Sequence, residues 1–91
     1  MSQNDHFLKT LRKVVEKAET YQAKYGVYSN FQFHAGGIRI EQYHPNNGDL
    51  IQASGISWDI LAASEDVAAL LMKVVDEQTA SALKAAGKPF P

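Results

Sequence analysis

Phe7, Leu11, Val14, Ala18, Tyr21 and Tyr25 recur at intervals of four, three, four, three and four residues. That spacing lines side chains up on one face of an α-helix. Leu8 and Val15 widen the stripe on one side, and Lys9, Arg12, Lys13, Glu16, Lys17 and Lys24 fall on the opposite face at 100° per residue. Asn4 or Asp5 supplies a capping oxygen to the first turn, and Gly26 tolerates the left-handed ending, so the spacing predicts a helix from about Asp5 to Tyr25.

The period then changes from helical to alternating. Val27, Phe31, Phe33 and Ala35 share one side of an extended segment, and Tyr28, Asn30, Gln32 and His34 the other. Gly36-Gly37 reads as a two-residue hairpin turn, which pairs Ala35 with Ile38, Phe33 with Ile40 and Phe31 with Gln42. On the reverse face it pairs His34 with Arg39, Gln32 with Glu41 and Asn30 with Tyr43. A second turn at Pro45-Asn46-Asn47-Gly48 leads to a third strand. Its parity places Ile51, Ala53 and Gly55 with Phe33 and Ile40, and Leu50, Gln52, Ser54 and Ile56 with Tyr43.

Ser57 can cap a short turn after that strand, and Ser64, followed by Glu65 and Asp66, is the expected cap of a second long helix. Val67, Leu70, Leu71, Val74, Val75 and Gln78 continue it at helical spacing, the polar run Asp76 to Thr79 is a place for a bend, and Gly87 with Pro89 is a stop. Residues 88–91 read as a loose tail.

Two amphipathic helices and a half-apolar sheet must bury those faces against each other. The prediction is an α+β fold, one αβββα domain over residues 1–91, with a three-stranded antiparallel meander and two long helices on one face. Phe7, Leu11, Val14, Phe31, Phe33, Ile38, Ile40, Ile51, Leu70, Leu71 and Val74 form its expected core. Helices of ~30 Å overhang strands of ~25 Å. Tyr21, Tyr25, Leu83 and Phe90 must then fold over the sheet's edge or meet a second subunit, the basis for expecting a homodimer.

Composition narrows the functional classes. The 91 residues are 45% apolar and 21% charged, within the globular range. No apolar run is long enough to span a bilayer, no leader-like segment opens the chain, and cysteine is absent; these point to a cytoplasmic protein without disulfides. Net charge is −1, unlike a dedicated nucleic-acid binder, although residues 1–25 carry five bases against three acids. The candidate phosphate-contacting stripe is Lys9, Arg12, Lys13 and Lys17.

The αβββα order resembles that of the double-stranded-RNA-binding domain. The resemblance implies a lysine-rich start to the last helix, gripping phosphates across the major groove. Here that position reads Ser64-Glu65-Asp66, with acids where phosphate would sit. His34, Glu41, His44 and Asp49 are ligand-type residues, but the strand parity does not converge them, so no metal or other cofactor is expected. Gly36-Gly37 lacks the spacing of a phosphate loop, and Ser54 and Ser57 have no partner base, so catalysis is not expected either.

What remains is recognition. Tyr28, Gln32, His34, Arg39 and Tyr43 form an aromatic and polar sheet face of the kind interfaces favour, and Trp58 is either a core plug bonded to a carbonyl or an interface anchor. The expected function is a small non-enzymatic protein-interaction module. In size and in lack of motifs the chain is similar to phage and prophage accessory proteins that occupy a host protein's surface. A weak nucleic-acid association through the basic helix face is the alternative.

Overall fold

The computed structural model describes residues 3–90, with side chains from His6 onward. The elements are α1 Gln3–Tyr25, β1 Tyr28–His34, β2 Gly37–Tyr43, β3 Leu50–Ser57, α2 Trp58–Ala63 and α3 Val67–Ala85. The strands form one antiparallel sheet in the order β1-β2-β3, so the αβββα arrangement is as predicted, with the short α2 added before the last helix. Leu11, Val14, Ile38, Ile40, Ile56, Leu71 and Val75 meet in the main core cluster, which puts both long helices on the same side of the sheet. α1 lies over β1 and against α3, while α3 covers β2 and β3.

The helical stripe accounts for α1: Leu11, Val14, Ala18 and Tyr21 are buried, and Gly26 closes the helix at φ 76° with its N–H donating to Gln22 O at 2.9 Å. The capping side chains expected of Asn4 or Asp5 lie outside the described residues.

Both hairpins depart from the expected registers. In the first, the turn is Ala35-Gly36 and the pairs are His34 with Gly37, Phe33 with Ile38, Phe31 with Ile40 and Tyr28 with Tyr43. The pairing slides by two residues, so the faces survive but the partners change. His34 Nδ1 accepts from Gly36 N–H at 3.0 Å and fixes this turn. Gly37 is needed inside the strand instead, because a Cβ there would sit 2.0 Å from Ile56 O.

The second hairpin changes the faces. Tyr43 pairs with Leu50 but Gln42 pairs with Gln52, so Ile51 is an extra residue in a β-bulge. From there the alternation is inverted. Gln52, Ser54 and Ile56 share the face of Ile38 and Ile40, and Ala53 and Gly55 lie on the open face with Arg39 and Glu41, the reverse of the expected parity. Ile51 itself still packs on the helix side, against the Val27–Ala82–Leu83 cluster.

The core shifts accordingly. Ile56, Leu61, Val75 and Leu83 are buried, whereas Phe33, an expected core residue, is 60% exposed. Phe31, Leu70 and Val74 are partly buried at the margin. α3 runs straight through the place expected to bend, because its polar side chains find partners in the sheet. Gln42 Nε2 donates to Thr79 Oγ1 at 2.9 Å, and Gln78 Nε2 donates to Ile40 O at 3.1 Å and Ser54 Oγ at 2.8 Å. The α3 cap is Asp66, whose Oδ1 accepts from Ala69 N–H at 3.0 Å; Ser64, the expected cap, ends α2 instead.

The tail expected to be loose is tied down through Phe90. Gly87, at φ 72°, and Lys88 close α3 with bonds to Lys84 O and Leu83 O, at 3.1 and 2.8 Å. Phe90 then stands edge-on to Tyr21 and Tyr25, with ring centroids 5.4 Å from each. Tyr21 and Leu83 are buried, so the overhanging ends close over one another within a single chain and give no reason for a second subunit.

Candidate functional site

Among the described residues, no helix covers the outer face of the sheet. Its rows are Tyr28, Asn30, Gln32 and His34 on β1; Tyr43, Glu41 and Arg39 on β2; and Leu50, Ala53 and Gly55 on β3. The register that replaced the expected one puts Tyr28 directly opposite Tyr43, with ring centroids 5.5 Å apart and planes at 44°. A tilted cross-strand aromatic pair of this kind contributes roughly 0.5–1 kcal/mol beyond the area it buries. Tyr28 keeps 47% of its surface exposed, and Leu50, also exposed, flanks Tyr43 from the other strand.

Glu41 is the centre of the face. Its Oε1 accepts from Asn30 Nδ2 at 2.9 Å, Tyr43 Oη at 2.8 Å and Gln32 Nε2 at 3.3 Å, and its Oε2 accepts from Arg39 Nε at 3.1 Å. Only 9% of Glu41 is exposed, although the cover is a single layer of neighbouring side chains. The bonds from Asn30, Tyr43 and Arg39, in that order of effect, hold its carboxyl below the ordinary value against a smaller opposing push from desolvation. The same bond raises the Tyr43 phenol.

One carboxylate therefore fixes four neighbouring side chains. Outward-facing groups remain around it: the Tyr28 hydroxyl, the Arg39 guanidinium, and the His34 ring, whose Nδ1 is spent on its own turn. Beside them, β3 offers only Ala53 and Gly55, and nothing lies within 4 Å of a Cβ built on Gly55. The face is a low trough with an aromatic end.

The sequence singled out Tyr28, Gln32, His34, Arg39 and Tyr43, and the fold brings all five to this face. It does not bring Trp58. The indole starts α2, lies 6.3 Å from the Phe7 ring and donates Nε1–H to His34 O at 2.8 Å beside the first hairpin, with 37% of the residue left exposed. Glu41 was weighed only as a ligand-type residue, and Asn30 was not singled out. Their signal was an acid flanked in alternation by Arg39 and Tyr43, legible only with the correct register. Ala53 and Gly55 were hidden by the bulge.

The basic residues Lys9, Arg12, Lys13 and Lys17 of α1 are all exposed, and three of them have specific neighbours. Arg12 pairs with Glu16 at 3.3 Å, and Lys17 Nζ sits 5.0 Å above the Tyr21 ring. Lys13 lines a cleft of about 810 Å³ whose opposite wall carries Glu65 and Asp66. Lys9 remains on the exposed face. Among the described residues, no three or more His, Asp or Glu side chains come together as a metal site, and no helix is long and apolar enough to cross a membrane. No protein-family model, curated protein or solved structure matches the chain.

Proposed function

We propose that this protein is a non-enzymatic interaction module that docks a protein partner on its uncovered sheet face. The observation that carries the reading is the fixed network around Glu41. An uncovered antiparallel face needs only to be polar. This one also has its side chains immobilised before any partner arrives, so ordering them costs a binding event little. Tyr28, Tyr43 and Leu50 supply the aromatic and apolar anchor that hot spots favour, and the trough over Ala53 and Gly55 leaves room for a partner's side chain. Phosphate binding is less well supported, because Arg12 pairs with Glu16, Lys17 lies over the Tyr21 ring and Lys13 shares a cleft with Glu65 and Asp66.

The test is a pull-down from a native-host lysate with the Tyr28→Ala/Tyr43→Ala variant beside the unaltered chain, read by mass spectrometry at two salt concentrations. A specific protein retained by the unaltered chain at both salts and lost by the variant supports the reading. Retention of the same protein by the variant, or nucleic acid that leaves steeply with salt, refutes it.

A further inference from the structure

We infer that the chain pairs with a second copy of itself along the flank of α1 that faces away from α3. Tyr21, bonded to Asp76, marks the side of α1 turned toward α3. On the other side of the buried stripe, Leu8, Arg12, Val15 and Glu19 follow at intervals of four, three and four residues, one row along the helix. Leu8 is 61% exposed and Val15 38%. Phe33 belongs to the same margin: it sits on the helix side of the edge strand β1, opposite the fully buried Ile38, yet is 60% exposed. Leu8, Val15 and Phe33 are three of the seven exposed large apolar side chains among the described residues.

The charges on this flank say what covers it. If two α1 helices cross antiparallel about a twofold axis at Val15, facing residues have numbers summing to about 30, as in an antiparallel coiled coil. Arg12 then meets Glu19 of the partner subunit, and the symmetry repeats the pair. A parallel arrangement would instead place Arg12 against its own copy. Arg12 gives up little to make the new pair, since its bridge to Glu16 joins two exposed side chains on one helix. Val15 meets its copy between the two ion pairs, and Leu8 lies one turn beyond Arg12 on each side, with Phe33 on the neighbouring strand. This pairing is independent of the sheet-face reading, and it leaves two outer faces open on one assembly.

Sedimentation equilibrium of the full chain, from micromolar to millimolar concentration, tests the inference. The expected result is a reversible dimer. Val15→Glu and Arg12→Glu should each weaken it by tenfold or more while thermal melts show both folded, and Arg12→Glu with Glu19→Arg should restore it. The Tyr28→Ala/Tyr43→Ala variant should sediment like the unaltered chain, which separates this inference from the sheet-face reading. A monomer at every concentration, a dimer indifferent to Val15→Glu, or a charge exchange that fails to restore association would each overturn it.

Discussion

The Tyr21 hydroxyl donates to Asp76 Oδ1 at 2.5 Å, across the contact between the two long helices. Burial first, then the bond to Asp76 and its charge, and last the neighbouring Tyr25, push this phenol up to about 12. The folded chain holds a proton that the unfolded chain releases near 10, so this contribution to stability is complete below pH 10 and disappears as pH rises toward 12. Absorbance at the tyrosinate band should show, beside the raised Tyr43, a tyrosine titrating near 12 that is absent in Tyr21→Phe. The same variant should lose about 1–2 kcal/mol of stability at neutral pH in urea melts.

Glu41 gives the opposite pH dependence. Its folded-state value is lowered, so the stability it contributes is present above the ordinary value of 4.5 and is lost as pH falls below it. Glu41→Gln should melt below the unaltered chain at pH 7, and the gap should narrow steadily as the buffer is taken from pH 5 to pH 3. A gap constant across that range would mean that the carboxylate is not the source.

The polar layer under α3 should behave as a unit. Gln42 accepts from Ser29 Oγ at 2.8 Å while donating to Thr79 Oγ1 at 2.9 Å, and all of Gln42 and Thr79 is buried. Gln42→Leu strands both hydroxyls and should cost roughly 1–3 kcal/mol. Adding Thr79→Val removes one stranded group, so the double variant should be less destabilised than the two single effects added together.

Two glycines in adjacent strands should respond in opposite ways. Gly37→Ala forces a Cβ against Ile56 O and departs from a φ of 152°, so it should unfold the chain or cost more than about 3 kcal/mol. Gly55 has open space around it and no positive φ, and Gly55→Ala should be neutral or stabilising by up to about 1 kcal/mol. Thermal melts of the pair settle the contrast.

Phe90 should matter more than its place near the end of the chain suggests. Phe90→Ala uncovers the Tyr21 and Tyr25 rings and should cost about 1–3 kcal/mol, measured by urea denaturation.

Much of this architecture is legible in the residues because the signals are periodic. The stripe from Phe7 to Tyr25 specifies α1, and the alternation around Phe31 and Ile40 specifies the first hairpin's faces even though its turn moves by one residue and its pairing by two. A shift of two preserves parity, so the tyrosines and Arg39 reach the expected surface. The bulge at Ile51 is a shift of one and leaves no compositional mark, so β3 is inverted and the trough is invisible until the strands are paired. Gln78 and Thr79 resemble an interruption in a helix when read along the chain, and prove to be buried partners of the sheet when read across it.

That bulge has a further consequence. The third strand carries two surfaces, Gln52-Ser54-Ile56 and Ala53-Gly55, and one supernumerary residue selects which of them water sees. Pairing Ile51 with Gln42, instead of bulging it out, would act as a frameshift written in space, exchanging the two surfaces without altering any side chain. The make-up of the uncovered face is therefore encoded by spacing as much as by residue type, and the register chosen at this corner redraws it where a dozen point substitutions would only retouch it.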